Sequence, residues 1–187
     1  MKPVVIAAAI GLALTGAAFA QGAGAAGPVS EIRGGIYAHS VDQQAPDGGP
    51  FDFSRLDDAN VEVLFAPLPT AEWFPGLVRP NLGATLNFGG LESQVYGGLS
   101  WKLPIASTPL FVEAGFGGAL NNGAISGAVP PARDLGCNLL FHEQLSVGYD
   151  ITPNLDVMFT AEHSSSANLC SPNRGLSNAG IRIGWKF

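Results

Sequence analysis

Polar and apolar positions alternate along most of this chain, with a period of two. Eight such runs stand out: Ser30–Val41, Ala59–Ala66, Leu77–Phe88, Ser93–Leu103, Pro109–Ala119, Cys137–Ile151, Asn154–Ser164 and Asn178–Phe187. The last is the clearest, with Ile181, Ile183, Trp185 and Phe187 set against Arg182, Gly184 and Lys186. In the sixth, Leu139, Phe141, Leu145, Val147 and Tyr149 share one parity, and Asn138, His142, Gln144, Ser146 and Asp150 the other. In the fourth, Val95, Leu99 and Trp101 oppose Gln94, Ser100 and Lys102. Side chains two apart on a strand point to the same face, so each run predicts a strand with one oily face and one polar face.

A soluble sandwich or a lipocalin-like carrier barrel alternates in the same way. Two features favour a membrane barrel. Several runs are long enough to cross a bilayer at a tilt. The last run also carries an aromatic residue, Phe187, at the chain's end, as outer-membrane barrels commonly do. The expectation is an all-β fold: an eight-stranded antiparallel transmembrane β-barrel of the outer membrane. Its apolar parity would face lipid, and Glu31, Arg33, Glu62, Glu113 and Arg182 would fill a narrow lumen. An even strand count puts both termini of the barrel on the periplasmic side. The outer connections should then be long, as they are after the first, fifth and seventh runs. The third-to-fourth connection is short for an outer loop, and the second-to-third is long for a periplasmic turn.

Composition agrees with export and a lipid-facing wall. Only 13% of residues are charged and 25 are glycine. Residues 1–20, with Lys2, an apolar run from Val4 to about Leu14, and Ala18 and Ala20 near the end, read as a secretory signal peptide. Residues 21–187 form a single domain. No apolar run of 18 or more follows, so no membrane helix is expected. A net charge of −6 with scattered Lys and Arg argues against nucleic-acid binding. Cys137 and Cys170 would reach an oxidising compartment, where they can form a disulfide at the outer end of one hairpin.

The chemistry gathers in "FTAEHSSSANLCSPNRG", residues 159–175. His163 and Ser165 continue the apolar parity of Leu155, Val157, Phe159 and Ala161, so they should project outward at the outer interface. An imidazole facing acyl chains is costly without a partner. A serine hydroxyl needs an adjacent base to act as a nucleophile. A hydroxyl-rich surface loop is the bland reading of the same residues.

This segment resembles the lipid A 3-O-deacylase (PagL-like) family of outer-membrane acyl hydrolases. That family's pattern is His-x-Ser-Asn-Ala, then a Pro-Asn-x-Gly turn, then Glu two residues after the Gly. Here it reads His163-Ser164-Ser165-Ser166-Ala167, then Pro172-Asn173-Arg174-Gly175. The resemblance implies that Ser165 is the nucleophile and His163 its base, acting on lipid A of lipopolysaccharide among outer-membrane lipids. Two positions depart: Ser166 stands for the family's Asn and Ser177 for its Glu. A substitute acid lies close by. A tight turn at Thr152-Pro153 sets Glu143 opposite His163 or one diagonal step away, on the same outward parity. Glu143 is therefore the expected orienting acid. Ser166, Asn168 or backbone N–H groups would serve the oxyanion, and Asn173 would shape the turn. No cofactor is expected, and no metal, because His39, His142 and His163 lack ligand spacing. His39, His142 and Glu162 fall on the inward parity and read as lumen residues. The competing function is a non-catalytic small barrel, porin-like or a surface antigen, that has lost the activity.

Overall fold

A computed structural model describes residues 27–43 and 48–187. The signal-peptide segment lies outside the described residues. Eight strands follow in order: β1 (Val29–Ala38), β2 (Asp58–Phe65), β3 (Leu77–Asn87), β4 (Gln94–Pro104), β5 (Leu110–Asn121), β6 (Leu139–Asp150), β7 (Leu155–Ser165) and β8 (Leu176–Lys186). Each pairs with its neighbours in sequence, and β1 closes antiparallel onto β8. Closure leaves no open sheet edge. Each strand coincides with one of the eight alternating runs and differs only at the ends.

The two parities separate as the alternation predicts. On β6, Leu139, Phe141, Leu145, Val147 and Tyr149 are exposed, while Leu140, His142, Gln144 and Ser146 are buried. The barrel is inverted relative to a lipocalin-like carrier: its outside is apolar and its inside ionic. Ile181 and Ile183 on the outer wall are 52% and 57% exposed, yet Arg33, Glu62 and Arg182 in the lumen are fully buried. Buried charges are tolerated only when paired. Arg33 contacts Glu31, Glu62 and Glu113. Arg79 reaches Glu31 and Glu113, and Arg182 reaches Glu62 at 2.8 Å. Glu162 accepts hydrogen bonds from Thr85, Gln94 and Asn178. This lattice of paired, buried side chains occupies the interior of the barrel.

The connections after β1, β5 and β7 gather at one end, and those after β2, β4 and β6 at the other. At the first end the loops are bound together. His39, just beyond β1, bonds Asp58 at 3.0 Å and Glu92 of the β3–β4 connection at 3.0 Å. Burial of its ring opposes the charge, but the bonds to Asp58 and Glu92 outweigh it and push its pKa up to about 9. Arg133, in the β5–β6 loop, donates its backbone N–H to Glu92 at 2.6 Å. Its guanidinium binds Asp42 at 2.6 Å and the carbonyl of Gly175 at 2.9 Å. One buried side chain thus ties together the β1–β2 and β7–β8 loops.

Candidate active site

Strand β7 delivers the serine run to three different environments. Its inward parity (Asp156, Met158, Thr160, Glu162 and Ser164) is buried, whereas His163 and Ser165 stay partly exposed on the outward parity. Ser164 therefore belongs to the lumen, where its hydroxyl bonds Nδ1 of His142 at 3.0 Å and donates to Gln94 at 2.7 Å. Ser165 projects from the wall opposite Phe141, and its hydroxyl has no hydrogen-bond partner among the described residues. Ser166 turns into the loop and is buried.

A row of three polar residues crosses the outer wall beside Ser165. The register sets Glu143 of β6 directly opposite His163, and Ser177 of β8 opposite it on the other side. Of the two registers the tight β6–β7 turn allowed, directly opposite or one diagonal step away, the first is the one observed. Nδ1 of His163 lies 2.8 Å from the Ser177 hydroxyl. Glu143 is exposed and makes no hydrogen bond or ion pair among the described residues. The partner of the imidazole Nδ1 is thus a hydroxyl, at the position where the family pattern carries a carboxylate. Nε2 is left without a hydrogen-bond partner among the described residues. His163 and Ser165 sit two residues apart on one face, about 7 Å between Cα atoms.

The Pro-Asn-Arg-Gly turn closes over the imidazole. Gly175 has φ 61°, and a Cβ there would lie 2.8 Å from Cε1 of His163. Only glycine combines that backbone with that approach. Asn173 shapes the loop by accepting the Ser166 N–H at 3.1 Å, and its amide reaches the Asn168 side chain at 3.3 Å. The Ser166 hydroxyl is engaged by the backbone of Cys170. Asn168 is exposed with φ 64°. The Cys137–Cys170 disulfide, Cα to Cα 6.0 Å, pins this loop to the start of β6.

Two clefts flank the row. One of about 460 Å³ is lined by Val41, Asp42, Phe51, Glu143, His163 and Ser177. The other, about 430 Å³, is apolar and runs along Phe116, Leu139, Phe141, Leu169 and Ser166. Phe116 and Phe141 stack there with ring centroids 6.1 Å apart. Among the described residues no cluster of His, Cys, Asp or Glu is placed to hold a metal ion. Sequence reasoning missed Arg133 and Asp42, which act through loop contacts distant in sequence, and named Gly175 only as part of the family's turn. It named Ser177 only as a departure from the family pattern, which was the one signal pointing to that position.

Comparison with known proteins agrees with this fold. The family model described as lipid A 3-O-deacylase (PagL) matches residues 60–186. The crystal structure of the outer membrane enzyme PagL superposes with a TM-score of 0.59 at 18% identity, covering 84% of this chain and 100% of that one. The N-terminal β-barrel domain of Pseudomonas aeruginosa OprF gives 0.51 at 10% identity, over 86% of this chain and 98% of that one. Neisserial surface protein A gives 0.50 at 12% identity, over 85% and 96% respectively. No curated protein sequence matches.

Proposed function

Because the chain belongs to the lipid A 3-O-deacylase (PagL) family, we propose that it is an outer-membrane esterase that removes an ester-linked acyl chain from lipid A. The observation that carries this reading is the outward projection of His163 and Ser165 from one face of β7, at the barrel end that holds the long loops. That end faces the outer leaflet when the barrel termini are periplasmic. A glycolipid in that leaflet presents its acyl esters at the same height, so substrate meets the site without leaving the membrane.

In the proposed reaction Ser165 Oγ attacks the ester carbonyl while Nε2 of His163 takes its proton. The tetrahedral oxyanion needs donors; the Asn168 amide and exposed loop N–H groups are the candidates, since the Ser166 N–H is already bound to Asn173. The C–O bond to the sugar breaks, and His163 returns the proton to the leaving hydroxyl. Water, deprotonated by the same nitrogen, then attacks the acyl carbon; the bond to Ser165 Oγ breaks, His163 returns the proton to that oxygen, and the fatty acid leaves. Glu143 supplies negative charge beside the imidazolium. The apolar cleft along Phe116, Phe141 and Leu169 fits the departing acyl chain.

The test is fatty-acid release from lipid A by protein reconstituted with lipopolysaccharide, read by mass spectrometry. Wild type should release one acyl chain. Ser165→Ala and His163→Ala should each lower the rate by three orders of magnitude or more, roughly the loss seen when a triad member is removed. The second reading, a barrel that has lost activity, draws on Ser177 standing where the family has Glu. A wild-type protein that leaves lipid A intact would establish it.

A further inference from the structure

We propose that the two tasks of a triad acid are divided in this chain: Ser177 on β8 orients the His163 imidazole, and Glu143 on β6 supplies the charge. Ser177 is then a positioning residue. The proposal rests on the reading of Ser165 and His163 given above.

A triad carboxylate accepts the Nδ1–H of its histidine, which fixes the tautomer, and it stabilises the imidazolium that forms during attack. Here the acceptor and the charge stand on opposite sides of the ring. The Ser177 hydroxyl is 2.8 Å from Nδ1. Glu143 faces His163 across the other strand pair. Cβ atoms of directly opposed residues lie about 4.5–5.5 Å apart, close enough for a coulombic effect at an interface poor in water.

A hydroxyl is an ambiguous partner. Accepting from Nδ1, it leaves Nε2 free as a base; donating to Nδ1, it moves the ring proton to Nε2 and silences the base. Glu143 favours the productive arrangement. As Ser165 gives up its proton both ring nitrogens carry hydrogen, so Ser177 must accept, and the carboxylate stabilises that state. The other charged groups nearby are already engaged. Asp42, which lines the same cleft, is paired with Arg133 at 2.6 Å. Glu162 points into the lumen and is held by Thr85, Gln94 and Asn178. Backbone contacts hold Ser177 itself in place, because the Val41 N–H donates to its carbonyl at 2.8 Å. The cleft beside it leaves room for a longer side chain.

The experiment measures steady-state release of fatty acid from lipid A in mixed micelles. Heat-modifiable gel mobility confirms that each variant is folded. Ser177→Ala should lower kcat about tenfold with KM within about twofold, the effect of losing one neutral hydrogen bond in the transition state. Ser177→Thr, which keeps the hydroxyl, should restore kcat to within about threefold of wild type. Glu143→Gln should cost about tenfold or more in the wild-type background. In a Ser177→Glu background, where an acceptor-only group does both tasks, the same change should cost less than about threefold. Wild-type kcat in Ser177→Ala, no rescue by Thr, or an equal Glu143→Gln loss in both backgrounds overturns the division of roles while leaving the esterase reading intact. A wild-type rate no higher than that of Ser165→Ala overturns both.

Discussion

At the scale of single residues, Gly175 shows how narrow the tolerances are around the imidazole. Its φ of 61° is strained for any residue with a Cβ, and that Cβ would fall 2.8 Å from Cε1 of His163. Alanine there carries a backbone cost of about 1–2 kcal/mol and forces the ring or the turn to move. A displaced ring loses its bond to Ser177 and its approach to Ser165. Gly175→Ala is therefore expected to lower the deacylation rate by about a hundredfold, since small misplacements of a reacting group cost that much. The fold should survive, because the turn lies outside the strand lattice. Rate measurements paired with circular dichroism check both halves; a folded variant with a wild-type rate would show that the turn does not support the ring.

Whole strands were far more legible than the connections between them. Leu145, Val147 and Tyr149 against His142, Gln144 and Ser146 announced both the strand β6 and the face it turns to lipid, because the pleat enforces the period. The Glu143–His163 pairing was readable to within one diagonal step because a tight turn narrows the register. The Ser177–His163 bond was not, because the ten-residue 166–175 loop leaves the β7–β8 register open to sequence reasoning. Arg133 was invisible for the same reason: its partners Asp42, Glu92 and Gly175 come from three other connections. The resulting cap has a pH signature. His39 titrates near 9 when folded, against 6.5 for the free side chain, so its contribution is fully present below 6.5. It is lost as pH rises through 9. Thermal unfolding in detergent should show stability declining between those limits, and His39→Gln should flatten the decline. An unchanged slope in the variant would assign the effect to other groups.

The molecule as a whole is turned inside out relative to a soluble barrel, and that polarity is what turns the row of Glu143, His163 and Ser177 outward with the apolar face. An apolar row slants across the wall through Ile36, Ile181, Phe159, Val147 and Val112, each paired with the next across a strand boundary. Ile181, in the middle of β8, is 52% exposed and touches none of the site residues through its register. If the wall faced water, Ile181→Arg would be neutral or would improve solubility. In a bilayer the guanidinium sits near the hydrocarbon midplane, where such a substitution costs about 2–4 kcal/mol. The lumen offers no refuge, since the strand period holds the side chain outward and the interior is already filled by the Arg33, Glu62 and Arg182 lattice. Denaturant unfolding in lipid vesicles should show that loss. The same substitution at Trp185, two turns of the pleat closer to the barrel's end, should cost about 0–1 kcal/mol of charge burial beyond the loss of the aromatic ring. Equal penalties at the two depths would mean that the wall does not lie in a membrane, and the glycolipid would then have no route to Ser165.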